Sequence, residues 1–140
     1  MTQNIHFKIA TPERVVYDSD ITEVSIPTQD GEITVLPGHI PLVSILKGGE
    51  LRFKKDGQEL AMAVSGGFVE VRSGSNVVVL ADTAERAEEI DIERAEAARK
   101  HAEELLKKQD FVNDVEFATI QAALERSLSR IKVARRRGRR

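Results

Sequence analysis

Hydrophobic and polar residues alternate in short runs along the first part of the chain. Each run has an apolar side chain at every second position, and these are Val24 and Ile26, Ile33 and Val35, Leu51 and Phe53, Leu60, Met62 and Val64, and Val69 and Val71. A period of two is typical of half-buried strands in an antiparallel sheet. Residues 76–81 form a nearly continuous apolar run, which predicts a fully buried last strand.

Turn-forming residues separate these runs. Asp56 and Gly57 lie between two of them and form the dipeptide typical of a two-residue hairpin, whose central positions both need positive φ. Strands and turns recur about every 8–12 residues, which favours a sandwich or barrel over a parallel sheet. Gly66 and Gly67 also stand between two runs, and we interpret them as a bulge or a point of close packing.

The second part of the chain has a different composition. All four prolines occur by position 41, and neither proline nor glycine occurs in residues 75–137. A long stretch without breakers and rich in alanine and glutamate predicts helices. We therefore divide the chain into residues 1–82 and 83–140. The predicted fold class is α+β, with an N-terminal antiparallel β-sandwich followed by a C-terminal hairpin of two antiparallel helices.

Two apolar stripes define the predicted helices. Asp91 is placed to cap the first helix, and Asn113 with Glu116 resembles a capping box for the second, after a turn at 110–114. The first stripe is Ile92, Ala95, Ala98, Ala102 and Leu105. The second stripe is Phe117, Ile120, Leu124, Leu128 and Ile131. Two helices alone bury little, so we expect the hairpin to pack on the sandwich or on another protein.

Composition excludes several classes of protein. The chain has 140 residues, of which 41% are hydrophobic and 31% charged, so it is expected to fold. It has no cysteine, no secretory signal at its start, and no apolar run of about 18 residues that would span a membrane. We therefore expect a soluble, cytoplasmic protein without direct membrane insertion.

The charges are distributed unevenly. The net charge is −2, yet residues 129–140 contain seven basic and no acidic residues, which leaves −9 for residues 1–128. A basic end on an acidic body indicates a charged partner. One alternative is a solvated, frayed end. Another is an arm that binds nucleic acid or an acidic partner.

Catalytic motifs are absent from the sequence. There is neither a Gly-x-Ser-x-Gly elbow nor a phosphate-binding loop with lysine. The three histidines are scattered without the spacing of metal ligands, and only His39 has candidate polar neighbours in a loop, Asp30 and Glu32. The prediction is a protein without catalytic residues, resident metal or required cofactor.

Three segments together resemble a known family. They are Gly31-Glu32-Ile33-Thr34-Val35-Leu36-Pro37-Gly38-His39-Ile40-Pro41, Ser65-Gly66-Gly67-Phe68 and Val78-Val79-Leu80-Ala81-Asp82-Thr83-Ala84. Their order and spacing resemble those of the epsilon subunit of F-type ATP synthases, and the resemblance extends over about the whole chain. It implies a non-catalytic subunit of the central rotor stalk that couples proton-driven rotation to ATP synthesis. It also implies contacts with the gamma subunit, the c-ring and the alpha and beta subunits, on the cytoplasmic side of a bacterial inner membrane.

The resemblance implies that one end of the sandwich faces the c-ring. The candidate contact residues are Asp30, Gly31, Glu32 and His39. Pro37 and Pro41 make their loop stiff. The alternative is a plain tight turn in which His39 is hydrogen-bonded to the backbone.

A second implied site concerns nucleotide. The run Ile90-Asp91-Ile92-Glu93-Arg94-Ala95 matches a pattern found in members of the family that bind nucleotide. ATP is then a regulatory ligand, with candidate residues Ile90, Asp91, Arg94, Ala95, Arg126 and Arg130. An arginine can face phosphate with a planar fork. The alternative makes Asp91 only a helix cap and Arg94 a solvated side chain. The family's further arginine, seven positions after Arg94, is His101 here.

The resemblance also implies that the C-terminal helices inhibit ATP hydrolysis. The candidate inhibitory tail consists of Lys132, Arg135, Arg136, Arg137, Arg139 and Arg140. The second predicted helix is about 35 Å long at 1.5 Å per residue. We expect its basic end to reach the acidic segment that the resemblance implies for the facing catalytic subunits. Against the nucleic-acid alternative stands the body charge of −9, which repels phosphate backbones.

Overall fold

The computed structural model describes residues 3–108 and 114–138, with side chains as far as Arg136 in the last helix. Eight strands come first: β1 Ile5–Ala10, β2 Val15–Ile21, β3 Glu23–Thr28, β4 Gly31–Val35, β5 Leu42–Ile45, β6 Gly49–Lys55, β7 Gln58–Arg72 and β8 Asn76–Arg86. A 3-10 turn, Ala87–Glu89, leads to helix α1, Ile92–Lys107, and helix α2 is Asp114–Gly138. The predicted order of a β-sandwich and two helices is confirmed.

The strands are hydrogen-bonded in the order β2-β1-β8-β7-β6-β3-β4, and β5 pairs with β7. All neighbours are antiparallel except β1 and β8, which are parallel. The long strand β7 connects the two layers, since residues 58–64 pair with β6 and residues 68–71 pair with β5. The predicted hairpin between β6 and β7 is confirmed, because Asp56 and Gly57 have φ of 51° and 77°.

Gly66 and Gly67 mark the point at which β7 passes from one layer to the other. Both have positive φ, and a Cβ atom on Gly67 would overlap the carbonyl oxygen of Leu80 in β8. A Cβ atom on Gly66 would overlap the carboxylate of Asp82. Only glycine tolerates both the backbone conformation and this close approach.

The core lies between the two layers. It contains the predicted alternating residues and also residues from β1 and β2 that the pattern analysis omitted; fully buried examples are Ile5, Phe7, Ile9, Ile21, Val24, Ile26, Leu51, Met62, Val69 and Val77. Phe7, Tyr17 and Phe53 form a cluster of tilted rings with centroids 4.6–5.9 Å apart. Such aromatic contacts add to the stabilisation from burial.

Strand β8 continues past the predicted boundary at residue 82. Its residues 83–86 pair with residues 62–65 of β7, and Ala84 is buried. The alanine-rich composition predicted a helix from residue 83. Residues 83–86 are instead extended, because they are hydrogen-bonded to β7 and Ala84 packs in the core. The helical part begins only after the turn at Ala87–Glu89.

The helical stripes are only partly as predicted. In α1, Ala95 and Ala102 are buried, whereas Ile92 and Ala98 are exposed. In α2, Ile131 is buried, but Phe117 and Leu128 are 42% and 46% exposed. Besides Ile131, the buried residues among the described side chains of α2 are Ser127, Val133 and Ala134, none of which belongs to the predicted stripe.

The C-terminal part of α2 supplies the residue that is buried against the sandwich, Val133, whereas Ala122, Glu125 and Arg126 line an open cleft beside it. Asp91 does cap α1, with its Oδ1 accepting from the Arg94 amide at 3.1 Å. Asn113 and most of the predicted turn lie outside the described residues.

Candidate functional site

The junction between α2 and the sandwich brings together most of the charged residues singled out in the sequence. Glu50 of β6, Ala63 of β7 and Glu85 of β8 are directly opposite one another in register, so they form one row across three strands. Directly opposite residues project from the same face of a sheet. Met62 and Val64, the neighbours of Ala63, point the other way, into the core.

Helix α2 lies along this row. Arg130 pairs with Glu85, Val133 is buried in a cluster with Ala61 and Ala63, and Arg136 Nη1 donates to Glu50 Oε1 at 2.5 Å. The three α2 residues are spaced by three, which is a rise of about 4.5 Å along a helix. Neighbouring strands are about 4.8 Å apart. Helix and strand spacings therefore match, and each α2 side chain meets its own strand.

The small side chains at the centre of the row allow the close approach of the helix. Ala61, Ala63 and Ala87 are 5–8% exposed, and Val133 is completely buried among them. Ile90 packs at the edge of this cluster. This apolar cluster is small beside the sandwich core, and ion pairs at Arg130 and Arg136 lie on either side of it.

Two of the predicted tail residues are exposed to solvent yet paired with carboxylates of the same chain. Arg136 pairs with Glu50, and Arg135 pairs with Glu96 of α1. Lys132 is exposed at the edge of the junction. The side chain of Arg137 and the whole of Arg139 and Arg140 lie outside the described residues.

Glu50 is also the first member of a chain of charges. Its side chain is only 7% exposed. Arg52 Nε lies 3.5 Å from Glu50 Oε1, and Arg52 Nη2 donates to Glu32 Oε1 at 2.8 Å. Ion pairs thus connect Arg136 of α2, Glu50, Arg52 and Glu32 of β4 in series.

A cleft of about 670 Å³ lies beside this chain of charges. Its lining includes the β3–β4 turn residues Asp30, Gly31 and Glu32 together with Lys132 and Arg136 of α2. The two groups belong to different predicted sites, the c-ring contact and the inhibitory tail. In the folded chain they face one another.

His39 is separated from the other candidate c-ring residues. Asp30, Gly31 and Glu32 lie at the start of β4, whereas His39 follows its end. The His39 ring donates from Nδ1 to the Ile40 carbonyl at 2.6 Å, and the neighbouring Gly38 amide donates to Ser75 Oγ in the β7–β8 turn. The structure thus shows the backbone-bonded histidine of the alternative interpretation, and it does not bring His39 to Asp30 or Glu32.

Five of the six candidate nucleotide residues line one cleft of about 320 Å³. They are Ile90, Asp91, Arg94, Ala95 and Arg130. The cleft also contains Glu85 and Glu89, which the sequence analysis missed because the motif begins after them. Arg126 is not part of it and lines a different cleft with Gly66 and Asp82. Arg126 and Arg130 are one helical turn apart, and this spacing alone does not show that Arg130 is the one that faces the start of α1.

The charges of this cleft are nearly balanced. Three carboxylates, Glu85, Glu89 and Asp91, face two guanidinium groups, Arg94 and Arg130. Arg130 is already paired with Glu85. An anionic ligand would therefore have to draw Arg130 from Glu85, while the exposed Arg94 side chain makes no ion pair with another described residue.

An exposed apolar row crosses the other part of the sandwich. Ile45, Phe68 and Leu80 are directly opposite one another on β5, β7 and β8, and each is 51–56% exposed. Val15 on β2 is exposed to a similar extent. Contiguous exposed apolar residues of this kind mark interaction surfaces.

Metal ligation has little support in the described part of the chain. His6 lies between two carboxylates, with Nδ1 3.0 Å from Asp20 and Nε2 2.9 Å from Asp18. The hydrogen bond with Asp20 and the charge of Asp18 raise the pKa of His6 above its ordinary value. Both ring nitrogens are thus occupied, and no cluster of three or more ligands suited to a metal occurs in residues 3–108 and 114–138.

Both structural parts match one protein family. Residues 4–87 match the beta-sandwich domain of the ATP synthase delta/epsilon chain, and residues 88–135 match the long alpha-helix domain of the same chain. The chain belongs to the ATP synthase delta/epsilon family. The resemblance carried by the Leu-Pro-Gly-His loop and the two later segments is confirmed.

Curated relatives are similar to this chain over nearly all of its length. The ATP synthase epsilon chain of Bacillus licheniformis is 49% identical over 95% of this chain and 99% of its own. That of Geotalea daltonii is 43% identical over the full length of both. These relatives are epsilon chains, in agreement with the expected non-catalytic subunit.

Solved structures agree with the fold. A chain of the Euglena gracilis mitochondrial ATP synthase, in a structure of OSCP, F1 and the c-ring, matches with a TM-score of 0.78 and 26% identity over 94% of this chain and 81% of that one. A chain of the Tetrahymena thermophila central stalk and c-ring matches with a TM-score of 0.68 and 13% identity, over 95% and 98%. Neither described helix of this family member has the length and hydropathy needed to cross a bilayer.

Proposed function

We propose that this chain is the rotor-stalk epsilon subunit of a bacterial ATP synthase, peripheral on the cytoplasmic side of the inner membrane. In this role it couples proton-driven rotation to ATP synthesis and inhibits ATP hydrolysis through its C-terminal helices. The observation that supports it best is the three-point junction of Arg130, Val133 and Arg136 with the sandwich. In this proposal, breaking these three contacts frees α2 from the sandwich.

Two surfaces fit the proposed rotor partners. The apolar row of Ile45, Phe68 and Leu80 suits a lasting contact with the gamma subunit, since it is exposed in the chain alone. The β3–β4 turn at Asp30–Glu32 presents polar groups for the loops of the c-ring. His39, beyond the other end of β4, belongs to a different part of the surface.

Inhibition is proposed to follow from release of α2. A freed helix of 25 residues spans about 37 Å, enough to reach from the stalk into the catalytic head of alpha and beta subunits. Its basic end then exchanges Glu50 and Glu96 for an acidic segment of those subunits. Several ion pairs in a confined cavity are needed, because a single exposed pair contributes only about 0–1 kcal/mol.

ATP is proposed as the regulatory ligand of the cleft between Asp91 and Arg130. Bound there it would contact α1 and α2 together, and would favour the docked hairpin because only that state brings Arg94 and Arg130 to one cleft. Asp91 acts as a helix cap in either case.

The alternative of a nucleic-acid or acidic-partner arm loses its main support. Arg135 and Arg136 are paired with carboxylates of the same chain. Residues 1–128 carry a net charge of −9, so the body of the protein repels a phosphate backbone.

The proposed orientation on the rotor is tested by crosslinking in the assembled enzyme. A cysteine at Glu32 is expected to crosslink to a polar loop of the c-ring, and a cysteine at Phe68 to the gamma subunit. Crosslinks from Glu32 only to the catalytic subunits would reverse this orientation.

A further inference from the structure

Glu50 is a buried carboxylate shared between two parts of the molecule that move differently in the proposed cycle. We propose that it couples the docking of α2 to the β3–β4 turn. While α2 is docked, Arg136 neutralises Glu50 and leaves Arg52 to hold Glu32. When α2 leaves, Arg52 turns to Glu50 and Glu32 is set free.

Glu50 is buried while α2 is docked. Its side chain is 7% exposed, and Oε2 is buried without a hydrogen-bond partner among the described residues. A buried carboxylate is costly unless a cation compensates it, and the loss of one partner leaves an unpaired buried charge. Departure of Arg136 leaves the Glu50 carboxylate without its closest cation.

Arg52 is the cation best placed to replace Arg136 beside Glu50. Besides Arg136 and Lys132, which depart with α2, the cleft beside Glu50 is lined by two cationic side chains of the sandwich, Lys47 and Arg52. Lys47 is exposed and makes no ion pair with a described residue, whereas Arg52 Nε already lies 3.5 Å from Glu50 Oε1. Arg52 follows Glu50 at i+2 on β6, so their side chains share one face of the strand. A small rotation brings the guanidinium fully onto Glu50.

Glu32 loses its hydrogen bond from Arg52 when Arg52 turns to Glu50. Arg52 Nη2 donates to Glu32 at 2.8 Å in the docked state. Arg52 cannot keep this hydrogen bond in its present geometry while its planar fork turns to satisfy both oxygens of Glu50. The turn itself stays in place, because buried Thr28 donates from Oγ1 to the Gly31 carbonyl at 2.5 Å. The change is thus confined to the Glu32 side chain.

The consequence for the enzyme rests on the proposed function. If the β3–β4 turn faces the c-ring, release of the inhibitory helix gives that surface one additional free carboxylate. The rotor contact then differs between the docked and released states. The coupling inside the chain does not depend on this step and is testable on the purified protein.

The test is NMR of the purified full chain, with the Arg52 Nε–Hε resonance and the Glu32 side-chain carboxyl carbon as readouts. R136Q is expected to shift both, and to move the Glu32 carbon to the position it has in R52Q, where Glu32 has lost its arginine. R135Q is the matched control. It removes the same charge one residue earlier, but its partner Glu96 is in α1, so both resonances stay at their wild-type positions.

A second variant pair tests the part assigned to Glu50. In E50Q the buried charge is absent, so adding R136Q is expected to leave the Glu32 carbon at its wild-type position. The proposal is overturned if R136Q leaves both resonances unmoved, if R135Q moves them equally, or if E50Q fails to suppress the effect of R136Q. Because no other subunit is present, failure here is distinct from failure of the rotor assignment.

Discussion

Arg136, near the C-terminal end of α2, donates to Glu50 of β6 over 2.5 Å, although 86 positions separate the two in sequence. This ion pair connects the long alpha-helix domain to the sandwich domain of the same chain. It flanks Val133, which is completely buried, unlike every other described side chain of α2. The docked hairpin therefore depends on a short segment of the chain, and single substitutions there should shift its equilibrium.

The first prediction concerns Val133. V133D places an unpaired carboxylate in the alanine cluster, which costs several kcal/mol and should release the hairpin. Amide exchange and proteolysis of α2 should then accelerate, while the sandwich keeps its melting transition, since its core is a separate cluster. V115D, at a site that is 73% exposed, is the matched control and should change neither. Unaltered exchange of α2 in V133D would show that other contacts hold the helix.

The second prediction concerns Gly67. G67A should lower the free energy of unfolding by about 1–3 kcal/mol or more, because the residue has φ of 104° and its Cβ would meet the Leu80 carbonyl. G48A is a suitable comparison, since a Cβ there has only ordinary contacts and φ is not positive. Chemical denaturation of both variants measures the difference. Equal stability would refute the close approach of β7 and β8.

The third prediction concerns nucleotide. Calorimetry with ATP should show binding to the purified chain, and R94A should weaken it by about tenfold or more, the equivalent of one hydrogen bond between charged groups. R126A should have little effect, because Arg126 lies in another cleft. Absence of binding heat at high ATP would leave Asp91 with its capping role alone.

The fold was largely predictable because it depends on local patterns. The alternation of apolar and polar residues predicted β3, β4, β6 and both halves of β7. The dipeptide Asp56-Gly57 predicted the hairpin between β6 and β7. β1 also alternates, with Ile5, Phe7 and Ile9 all buried, but it was overlooked. Its parallel pairing with β8 has no local signature, since the two strands are some seventy residues apart in sequence.

The candidate sites were less predictable, because they depend on how α2 is rotated and placed. Arg126 and Arg130 are equivalent in sequence, yet only Arg130 meets Glu85. The predicted apolar stripe of α2 includes Phe117 and Leu128, which are 42% and 46% exposed in the structure. The partners of Arg135 and Arg136, namely Glu96 and Glu50, belong to distant segments that no spacing rule connects.

The most direct test of the account is ATP hydrolysis by the assembled enzyme with two altered forms of this subunit. Deletion of residues 132–140 removes the basic tail and should raise hydrolysis without loss of assembly. E50Q leaves the tail intact but removes its docking partner, so the helix should be released more often and hydrolysis should fall. Opposite changes in the two variants are the predicted result. Unchanged hydrolysis in both would contradict the account, since the basic end of α2 would then have no inhibitory role.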